Sequence, residues 1–197
     1  SAKVHYCAST PDEYFIFDLL DDGTYSIKAN DPDLLPDNVI LPSVYDGKPV
    51  TKIEDFGFSS CNNIKTITIP SSITSIGGYA FYYCANLSEV LLTDGLLEID
   101  YNAFFGCAHL ASIFIPETVT IIGSGAFSGC TSLNSIRIPN SITSISTNMF
   151  SGCTQLTDIE IGSSVTTIEN SAFYYTVLNN VYYRGTREQW DNISICG

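Results

Sequence analysis

Residues 119–141 read VTIIGSGAFSGCTSLNSIRIPNS, and this stretch decides the fold because its pattern recurs along the chain. Its cysteine has equivalents at a constant interval of 23 residues, and a phenylalanine and an isoleucine of the unit recur at the same interval. The cysteines are Cys61, Cys84, Cys107, Cys130 and Cys153, the phenylalanines run from Phe58 to Phe173, and the isoleucines run from Ile53 to Ile168. A fixed period of this length is the signature of a solenoid, in which each repeat forms one turn.

Each repeat carries the pattern of a leucine-rich repeat strand. Five full units occupy residues 50–72, 73–95, 96–118, 119–141 and 142–164, and a sixth begins at residue 165. In the fifth unit, Leu156, Ile159 and Ile161 have the spacing L-x-x-L-x-L. The equivalent triplets are Ile64-Ile67-Ile69, Leu87-Val90-Leu92, Leu110-Ile113-Ile115 and Leu133-Ile136-Ile138. The alternation predicts a strand in every unit, with the apolar side chains on one face.

A second β segment and a turn complete the predicted repeat. Residues 73–76, 119–122 and 165–168 are rich in β-branched side chains and too short for helices. The stretch A-F-x-x-C predicts a tight turn or a short 3-10 turn, with its Ala and Phe pointing inward. We therefore predict a mainly β, right-handed leucine-rich-repeat solenoid with 23-residue repeats, little helix, and rungs about 4.8 Å apart.

The two ends predict caps. Residues 15–20 and 24–28 flank an Asp-Asp-Gly turn, which predicts a β-hairpin. Thr186 and Gln189 have the spacing of a capping box, which predicts the start of a short helix. We predict an N-terminal cap over residues 1–49, made of the hairpin and half a repeat, then six repeats over residues 50–185, and a C-terminal cap over residues 186–197.

The five evenly spaced cysteines predict buried free thiols. A metal or redox array is the alternative, but one cysteine per rung at a core position is a small apolar filler. Side chains in such a ladder run parallel, and pairing would leave one of the five unpaired. Cys7 and Cys196 lie in opposite caps, and their redox state stays open, since Cys7 could pair locally or with another chain.

Composition excludes several classes of function. The chain has 197 residues, 8 Lys and Arg against 21 Asp and Glu, and a formal net charge of −13. Such a charge argues against binding to nucleic acid or to an anionic membrane surface. No run of 18 apolar residues is present, so no membrane insertion is predicted for this segment. Met149 is the only methionine, and we expect a processed piece whose signal peptide has been removed.

The sequence predicts neither catalysis nor a bound cofactor. It lacks the motifs H-E-x-x-H and G-x-S-x-G and a phosphate-binding loop. His5 lies in the N-terminal tail, and His109 is predicted to be a solvated turn residue. The acidic residues of two turns lack EF-hand spacing and are interpreted as solvated carboxylates. These residues are Asp18, Asp21, Asp22, Asp31, Asp33 and Asp37. We predict a protein that is not an enzyme and that holds no metal and no cofactor.

The outward positions of the strands form a first candidate binding surface. Core positions are uniform from unit to unit while outward positions vary, so the fold does not dictate the outward residues. Leu91 and Phe114 fall on adjacent rungs beside Arg137, which predicts an exposed apolar pair with a polar rim. The candidate residues of this strand face are Leu91, Phe114, Arg137, Glu89, Asp158 and Glu160. The alternative is an ordinary solvated sheet face.

An aromatic turn edge forms a second candidate. Twelve tyrosines in 197 residues is a high number, and several aromatic residues fall in the turn next to the repeat cysteine. Exposed tyrosine stacks on sugars and packs at protein interfaces. The candidate residues are Tyr82, Tyr83, Phe105, Tyr174 and Tyr175. The alternative is that these rings only seal the turn edge.

The repeat unit resembles a known family. Its pattern I-T-S-I-G-x-x-A-F-x-x-C-x-x-L-x-x-I-x-I-P-x-S is similar to that of the BspA-like leucine-rich repeat proteins of bacterial surfaces. Residues 45–53, YDGKPVTKI, resemble the entry into that array, and residues 181–190, VYYRGTREQW, resemble its exit. The resemblance covers about residues 25–195. Departures at Thr93, Gly95 and Met149, and a sixth unit that is one residue short, bear on the regularity of the rungs.

The resemblance implies a secreted or cell-surface protein. We expect a non-enzymatic extracellular protein-interaction or adhesion module whose partner is a host or microbial protein, or a glycan, at the cell surface. Two alternatives stay open: a structural spacer that presents other domains, and a carbohydrate-binding accessory domain.

Overall fold

A computed structural model describes residues 8–196; His5 and Cys7 lie outside the described residues. Sixteen short strands and one short α-helix make up its regular structure, apart from a 3-10 turn at Asp12–Tyr14. The first strands are β1 (Phe15–Leu19), β2 (Tyr25–Ala29), β3 (Asn38–Ile40), β4 (Val44–Tyr45), β5 (Lys48–Ile53), β6 (Thr66–Thr68), β7 (Ser75–Ile76) and β8 (Glu89–Leu91). The rest are β9 (Glu98–Ile99), β10 (Ile121–Ile122), β11 (Ser135–Ile138), β12 (Ser144–Ile145), β13 (Asp158–Ile161), β14 (Thr167–Ile168), β15 (Asn180–Tyr183) and β16 (Ser194–Ile195), with α1 (Arg187–Asp191) between the last two.

The strands stack in register along a solenoid of about seven turns of about 23 residues. On one face, the order is β3-β6-β8 and then, in a separate sheet, β11-β13-β15, all parallel. On the second face, β5-β7-β9-β10 continue the N-terminal hairpin, and β12-β14-β16 form another sheet. The predicted mainly β leucine-rich-repeat solenoid is confirmed.

A continuous stack of phenylalanine rings runs through the core. Neighbouring rings from Phe58 to Phe173 lie 5.1–5.8 Å apart between centroids and are nearly parallel. The ladder isoleucines from Ile53 to Ile145 are at most 4% exposed. Each turn therefore contributes one phenylalanine ring to the stack. The rings recur every 23 residues because each one stacks on the equivalent ring of the next turn.

The repeat cysteines are buried free thiols, as predicted. Four of them donate a hydrogen bond to the carbonyl oxygen of a core phenylalanine 26 residues earlier, at Sγ to O distances of 2.9–3.2 Å. Burial raises the pKa of the Cys84 and Cys153 thiols to about 12 and raises that of Cys107 and Cys130 well above its ordinary value. The cysteine therefore serves as a small core residue with one weak donor, and it is protonated at neutral pH.

The N-terminal hairpin covers the first turn. β1 and β2 pair antiparallel, and β2 then pairs parallel with β5, the first strand of the array on that face. The connecting turn has Gly23 at a φ of 82° and a bond from the Thr24 amide to the Asp22 carboxylate at 2.9 Å. Lys28 links the two hairpin strands through an ion pair with Asp18 at 2.6 Å, and it links the hairpin to the first turn through an ion pair with Glu54 at 2.9 Å.

The C-terminal helix begins with the predicted capping box. The Thr186 hydroxyl accepts from the Gln189 amide at 3.2 Å, and the Gln189 side chain accepts from the Thr186 amide at 2.8 Å. Trp190 packs on Tyr183 with 5.4 Å between ring centroids. The cap is partial, because Val181 is 46% exposed although its equivalents Ile159 and Ile136 are buried.

The third turn departs from the prediction that every unit forms a strand. Residues 110–115 carry the apolar triplet, yet no strand is assigned there, and the main-chain groups of residues 112–115 make no hydrogen bond with any described residue. The preceding unit has Gly95 where others have Ser or Thr, with a φ of 129°, and a Cβ at this position would come within 2.4 Å of the Ser71 carbonyl oxygen. The Gly95 amide donates to the Thr118 hydroxyl of the third turn at 3.4 Å, and that hydroxyl donates to the Leu96 carbonyl at 2.7 Å.

Candidate functional site

The strand face carries one row of side chains along the solenoid axis. The register of the paired strands aligns Thr68 with Leu91 on one side of the opening, and Arg137 with Glu160 and Tyr182 on the other. Phe114 has the equivalent position in the third turn, between these two groups. Leu91 and Phe114 are 47% and 62% exposed, so the predicted apolar pair is exposed at the opening in the sheet.

An ion-pair network lies next to the apolar pair along the solenoid axis. Arg137 pairs with Glu117 and, through its Nε, with Glu160 Oε1 at 3.3 Å. Arg184 Nη1 also pairs with Glu160 Oε1, at 3.0 Å. Exposed ion pairs of this kind add little to stability.

A second row of side chains on the strand face carries the carboxylates of Asp158 and Glu89. Asp158 lies beside Asn180, whose amide donates to it at 2.7 Å, and the Thr157 hydroxyl donates at 2.6 Å. These bonds hold the pKa of the Asp158 carboxyl below its usual value. Glu89 occupies the same row on β8 and is exposed. With Glu117 and Glu160, the face carries four carboxylates against two guanidinium groups, and it retains excess negative charge.

A shallow depression of about 400 Å³ joins the two rows beside the opening. It brings together four of the predicted residues with Ser112, Ser135 and Tyr182. The predicted members that line it are Phe114, Arg137, Asp158 and Glu160, while Leu91 and Glu89 lie outside it, on the second turn.

The aromatic turn edge divides into two groups. Tyr82, Tyr83 and Phe105 contact one another, with ring centroids 4.5–5.5 Å apart. Tyr174 and Tyr175 form a separate pair at 4.2 Å, because serine occupies the equivalent of Tyr82 in the two intervening turns. The structure therefore does not bring all five predicted residues together.

Several surface residues were not singled out from the sequence. Glu117, Arg184 and Tyr182 complete the strand face, and Phe56, Tyr79 and Tyr101 extend the first aromatic group. The 23-residue register places Phe56 and Tyr79 at equivalent positions, so extending the alignment of repeats to every position would have shown this pair. The same alignment does not place Arg184 and Tyr182, because the last turn is one residue short.

The remaining candidate residues do not form a catalytic or metal-binding group in the described part of the chain. His109 is exposed, and its Nδ1 lies 2.5 Å from the Ala85 carbonyl oxygen. Among residues 8–196, no group of three or more His, Cys, Asp or Glu side chains is placed to hold a metal ion. The described part of the chain also contains no helix that is long and apolar enough to cross a membrane. Cys196 is exposed, whereas the five ladder cysteines are buried.

These features define a class of protein: a leucine-rich-repeat solenoid with a variable outer face. The family model described as "BspA type Leucine rich repeat region" matches residues 51–180 in six copies. The chain therefore belongs to the BspA-type leucine-rich repeat family. The family and its fold are generally non-enzymatic. A comparison with curated proteins finds no match.

Solved structures of bacterial leucine-rich repeat proteins are similar over most of the chain. A leucine-rich repeat protein of T. pallidum has 30% identity and a TM-score of 0.85, with 90% of this chain and 84% of that chain covered. A leucine-rich cell-surface protein of Faecalibacterium prausnitzii has 30% identity and a TM-score of 0.73, covering 90% and 51%. A leucine-rich repeat protein of Bacteroides ovatus has 26% identity and a TM-score of 0.63, covering 89% and 53%. This chain thus spans about half the length of the last two.

The comparisons give the chain a general role. It is a leucine-rich repeat domain of the type found in bacterial surface proteins, and this type is consistent with a protein-interaction module.

Proposed function

We propose that this chain is a non-enzymatic adhesion module of a secreted or cell-surface bacterial protein, and that it binds a host or microbial protein through its strand face. The observation that carries the proposal is the depression beside the open third turn, where the exposed Phe114 lies next to Arg137. Aromatic residues and arginine are enriched at the energetic centres of protein interfaces, and the polar residues around these two form the rim.

The electrostatics of the face restrict the partner. Four carboxylates outnumber the guanidinium groups of Arg137 and Arg184, and the lowered pKa of Asp158 keeps that carboxylate ionised at mildly acidic pH. A complementary surface would present apolar side chains for Phe114 and basic side chains for Asp158. Unpaired main-chain groups of residues 112–115 add hydrogen-bonding capacity at the same place.

Binding to purified extracellular-matrix proteins tests this proposal. Immobilised wild-type protein is exposed to a panel of matrix proteins by biolayer interferometry, with serum albumin as the comparator. We expect selective binding of at least one matrix protein, and at least about a tenfold loss of affinity for Phe114→Ala and for Arg137→Ala. Ile121→Ala is the matched control, because Ile121 is 53% exposed on the other sheet, and it should keep its affinity within about twofold.

Two outcomes contradict the proposal. Absence of binding to the whole panel would favour the alternative of a structural spacer. Binding that survives both Phe114→Ala and Arg137→Ala would place the interaction on another surface.

A further inference from the structure

Six aromatic side chains form a continuous cluster on the turn edge of the first three turns. Phe56 stacks on Tyr79 at 4.8 Å, and Tyr79 contacts Tyr82 and Tyr101 at 5.2 and 5.1 Å between centroids. Tyr82 in turn contacts Tyr83 and Phe105. We call this cluster the aromatic ridge; its members are Phe56, Tyr79, Tyr82, Tyr83, Tyr101 and Phe105.

The ridge exposes much of its ring surface. Phe56 is 55% exposed, Tyr83 is 49% exposed and Tyr101 is 39% exposed. Tyr101 lies over Gly78 and Tyr83 lies over Gly106, where a Cβ would come within 2.5 and 2.8 Å of the ring atoms. Both rings are almost perpendicular to the ring they adjoin, Tyr79 or Tyr82, so the ridge displays rings in two orientations.

The fold does not require aromatic residues at these positions. Phe56, Tyr79 and Tyr83 have left-handed backbone conformations, with φ of 57°, 56° and 52°. At the positions equivalent to Phe56 and Tyr79 the later turns have Asn102, Gly125, Asn148 and Ser171, and those equivalent to Tyr83 include Gly106, Gly129 and Gly152. A left-handed conformation costs a residue with a large side chain about 1–2 kcal/mol relative to glycine. Three aromatic residues at such positions oppose the local preference of the backbone.

Carboxylates border the ridge without counterions. Asp55 Oδ1 accepts from the Gly78 amide at 3.0 Å, and Asp100 Oδ1 accepts from the Tyr101 amide at 2.6 Å. Within the described chain, neither carboxylate forms an ion pair, and their Oδ2 atoms accept no hydrogen bond. Partial desolvation, with Asp55 and Asp100 nearby, raises the pKa of Tyr101, so its hydroxyl stays protonated and can donate.

We propose that the aromatic ridge binds a neutral glycan, at a site separate from the strand face. The apolar faces of pyranose rings would pack on the exposed rings of Tyr83 and Tyr101, and sugar hydroxyls would donate to the Asp55 and Asp100 carboxylates. Stacked rungs repeat the aromatic surface about every 4.8 Å, which suits a chain of sugars lying along the solenoid axis.

The chemistry of the ridge argues against other occupants. Uncompensated carboxylates repel uronic or sulfated sugars. A small cation would be held by rings that surround it, whereas these rings lie side by side along the rungs. A second copy docked across a two-fold axis would bring the Asp55 and Asp100 carboxylates of both copies to the same interface without a basic residue in the ridge.

Isothermal titration with defined hexasaccharides tests this proposal. The neutral probes are cellohexaose, laminarihexaose and chitohexaose, and hexagalacturonate is the anionic comparator. We expect at least one neutral probe to bind and hexagalacturonate to bind at least about tenfold more weakly. Tyr83→Gly and Tyr79→Asn introduce residues that the other turns have at the same positions, so both variants should fold, and Tm should confirm this. Tyr83→Gly and Tyr101→Ala should each reduce affinity about tenfold.

The control variant separates this site from the strand face. Phe114→Ala removes a similarly exposed ring, and it should leave hexasaccharide affinity unchanged, whereas Tyr83→Gly should leave matrix-protein binding unchanged. The glycan proposal is overturned if no neutral probe binds, if folded Tyr83→Gly and Tyr101→Ala retain full affinity, or if hexagalacturonate binds equally well. The glycan proposal would also be overturned if sedimentation showed that the wild-type protein is a dimer and that Tyr83→Gly is a monomer. The ridge would then bind a second copy of this chain.

Discussion

At the residue scale, each position of the 23-residue unit has its own environment, and that environment decides how much it can vary. The cysteine position is buried in all five turns that carry it, and its thiol finds a carbonyl acceptor in the chain. One left-handed position of the turn has Gly, Asn or Ser in the later turns, and Phe56 and Tyr79 are the exceptions there. Positions with the same residue in every turn indicate a packing constraint, whereas exceptional residues at surface positions indicate a role other than packing.

The buried thiols make stability sensitive to alkaline pH. Burial raises the thiol pKa in the folded state, so above about pH 8.5 the unfolded chain loses protons that the folded chain retains. The contribution of the thiols to stability should therefore be constant below that pH and fall by up to about 1.4 kcal/mol per pH unit for each buried thiol above it. Urea unfolding between pH 7 and pH 9.5 under reducing conditions measures this slope.

A double variant controls for other titrating groups. Cys107→Ala with Cys130→Ala removes two of the five buried thiols and should reduce the slope by about two fifths. An unchanged slope would assign the alkaline effect to groups other than these thiols.

At the element scale, the strands depend on the turns beside them. The third turn has a suitable triplet in Leu110, Ile113 and Ile115, all buried, yet its backbone is outside the ladder. The triplets of the fourth and fifth turns have the same pattern, and their strands β11 and β13 do pair, so the apolar pattern alone does not specify pairing. A strand of three or four residues therefore depends on pairing with the neighbouring turn as well as on its own apolar pattern.

Amide exchange should reveal the open turn. Residues 112–115 have no main-chain hydrogen bond in the described chain, whereas β11 and β13 are paired through Ser135–Ile138 and Asp158–Ile161. We expect the peptide covering residues 112–115 to exchange hydrogen at least about tenfold faster than the peptide covering residues 158–161, since exchange follows local opening. Mass spectrometry with short labelling times measures it, and equal protection of the two peptides would contradict an open third turn.

The C-terminal helix depends on its capping box. Thr186→Ala removes the acceptor for the Gln189 amide and should destabilise the helix by about 1 kcal/mol. Because the helix has five residues at the end of the solenoid, we expect local fraying with a small change in Tm. Trp190 fluorescence should shift to longer wavelength in Thr186→Ala, while Thr186→Ser keeps the hydroxyl and the wild-type spectrum. An unshifted spectrum in Thr186→Ala would show that packing on Tyr183 alone holds the helix.

At the scale of the whole molecule, stability is a sum over turns and the contacts between neighbouring turns. Phe104 stacks on Phe81 at 5.1 Å and on Phe127 at 5.6 Å, whereas Phe173 stacks on Phe150 alone and is partly exposed. The same substitution should therefore have different effects at the centre and at the end of the solenoid.

Substitution of the two phenylalanines measures this difference. Phe104→Ala should cost about 3–5 kcal/mol of unfolding free energy, since it removes a fully buried ring with two stacking partners, and Phe173→Ala should cost less than half of that. Denaturant unfolding followed by circular dichroism gives both values. Equal costs would show that the turns unfold as one unit in which position along the axis has no effect.

Much of this molecule could be predicted from single residues and their spacing. The hairpin around Gly23, the capping box of Thr186 and the buried ladder of Cys107 all follow from local chemistry or from the repeat. The open third turn could not be predicted, because its triplet of Leu110, Ile113 and Ile115 has the same pattern as the triplets of turns whose strands pair. The sequence predicts the strand-face residues as varying outward positions, and the structure divides them between the depression and β8.

The sequence by itself determined the solenoid, its period and its apolar interior, because a side chain repeated every 23 residues can be buried only against its own equivalents. The tertiary structure decided which surface residues lie together. It joined Phe56, Tyr79 and Tyr101 to Tyr82, Tyr83 and Phe105, and it separated Tyr174 and Tyr175 from them. The physical reason is that burial constrains the core position of every turn, so its period is visible in the sequence, whereas the contacts among surface rings also depend on side-chain directions, which the repeat pattern does not specify.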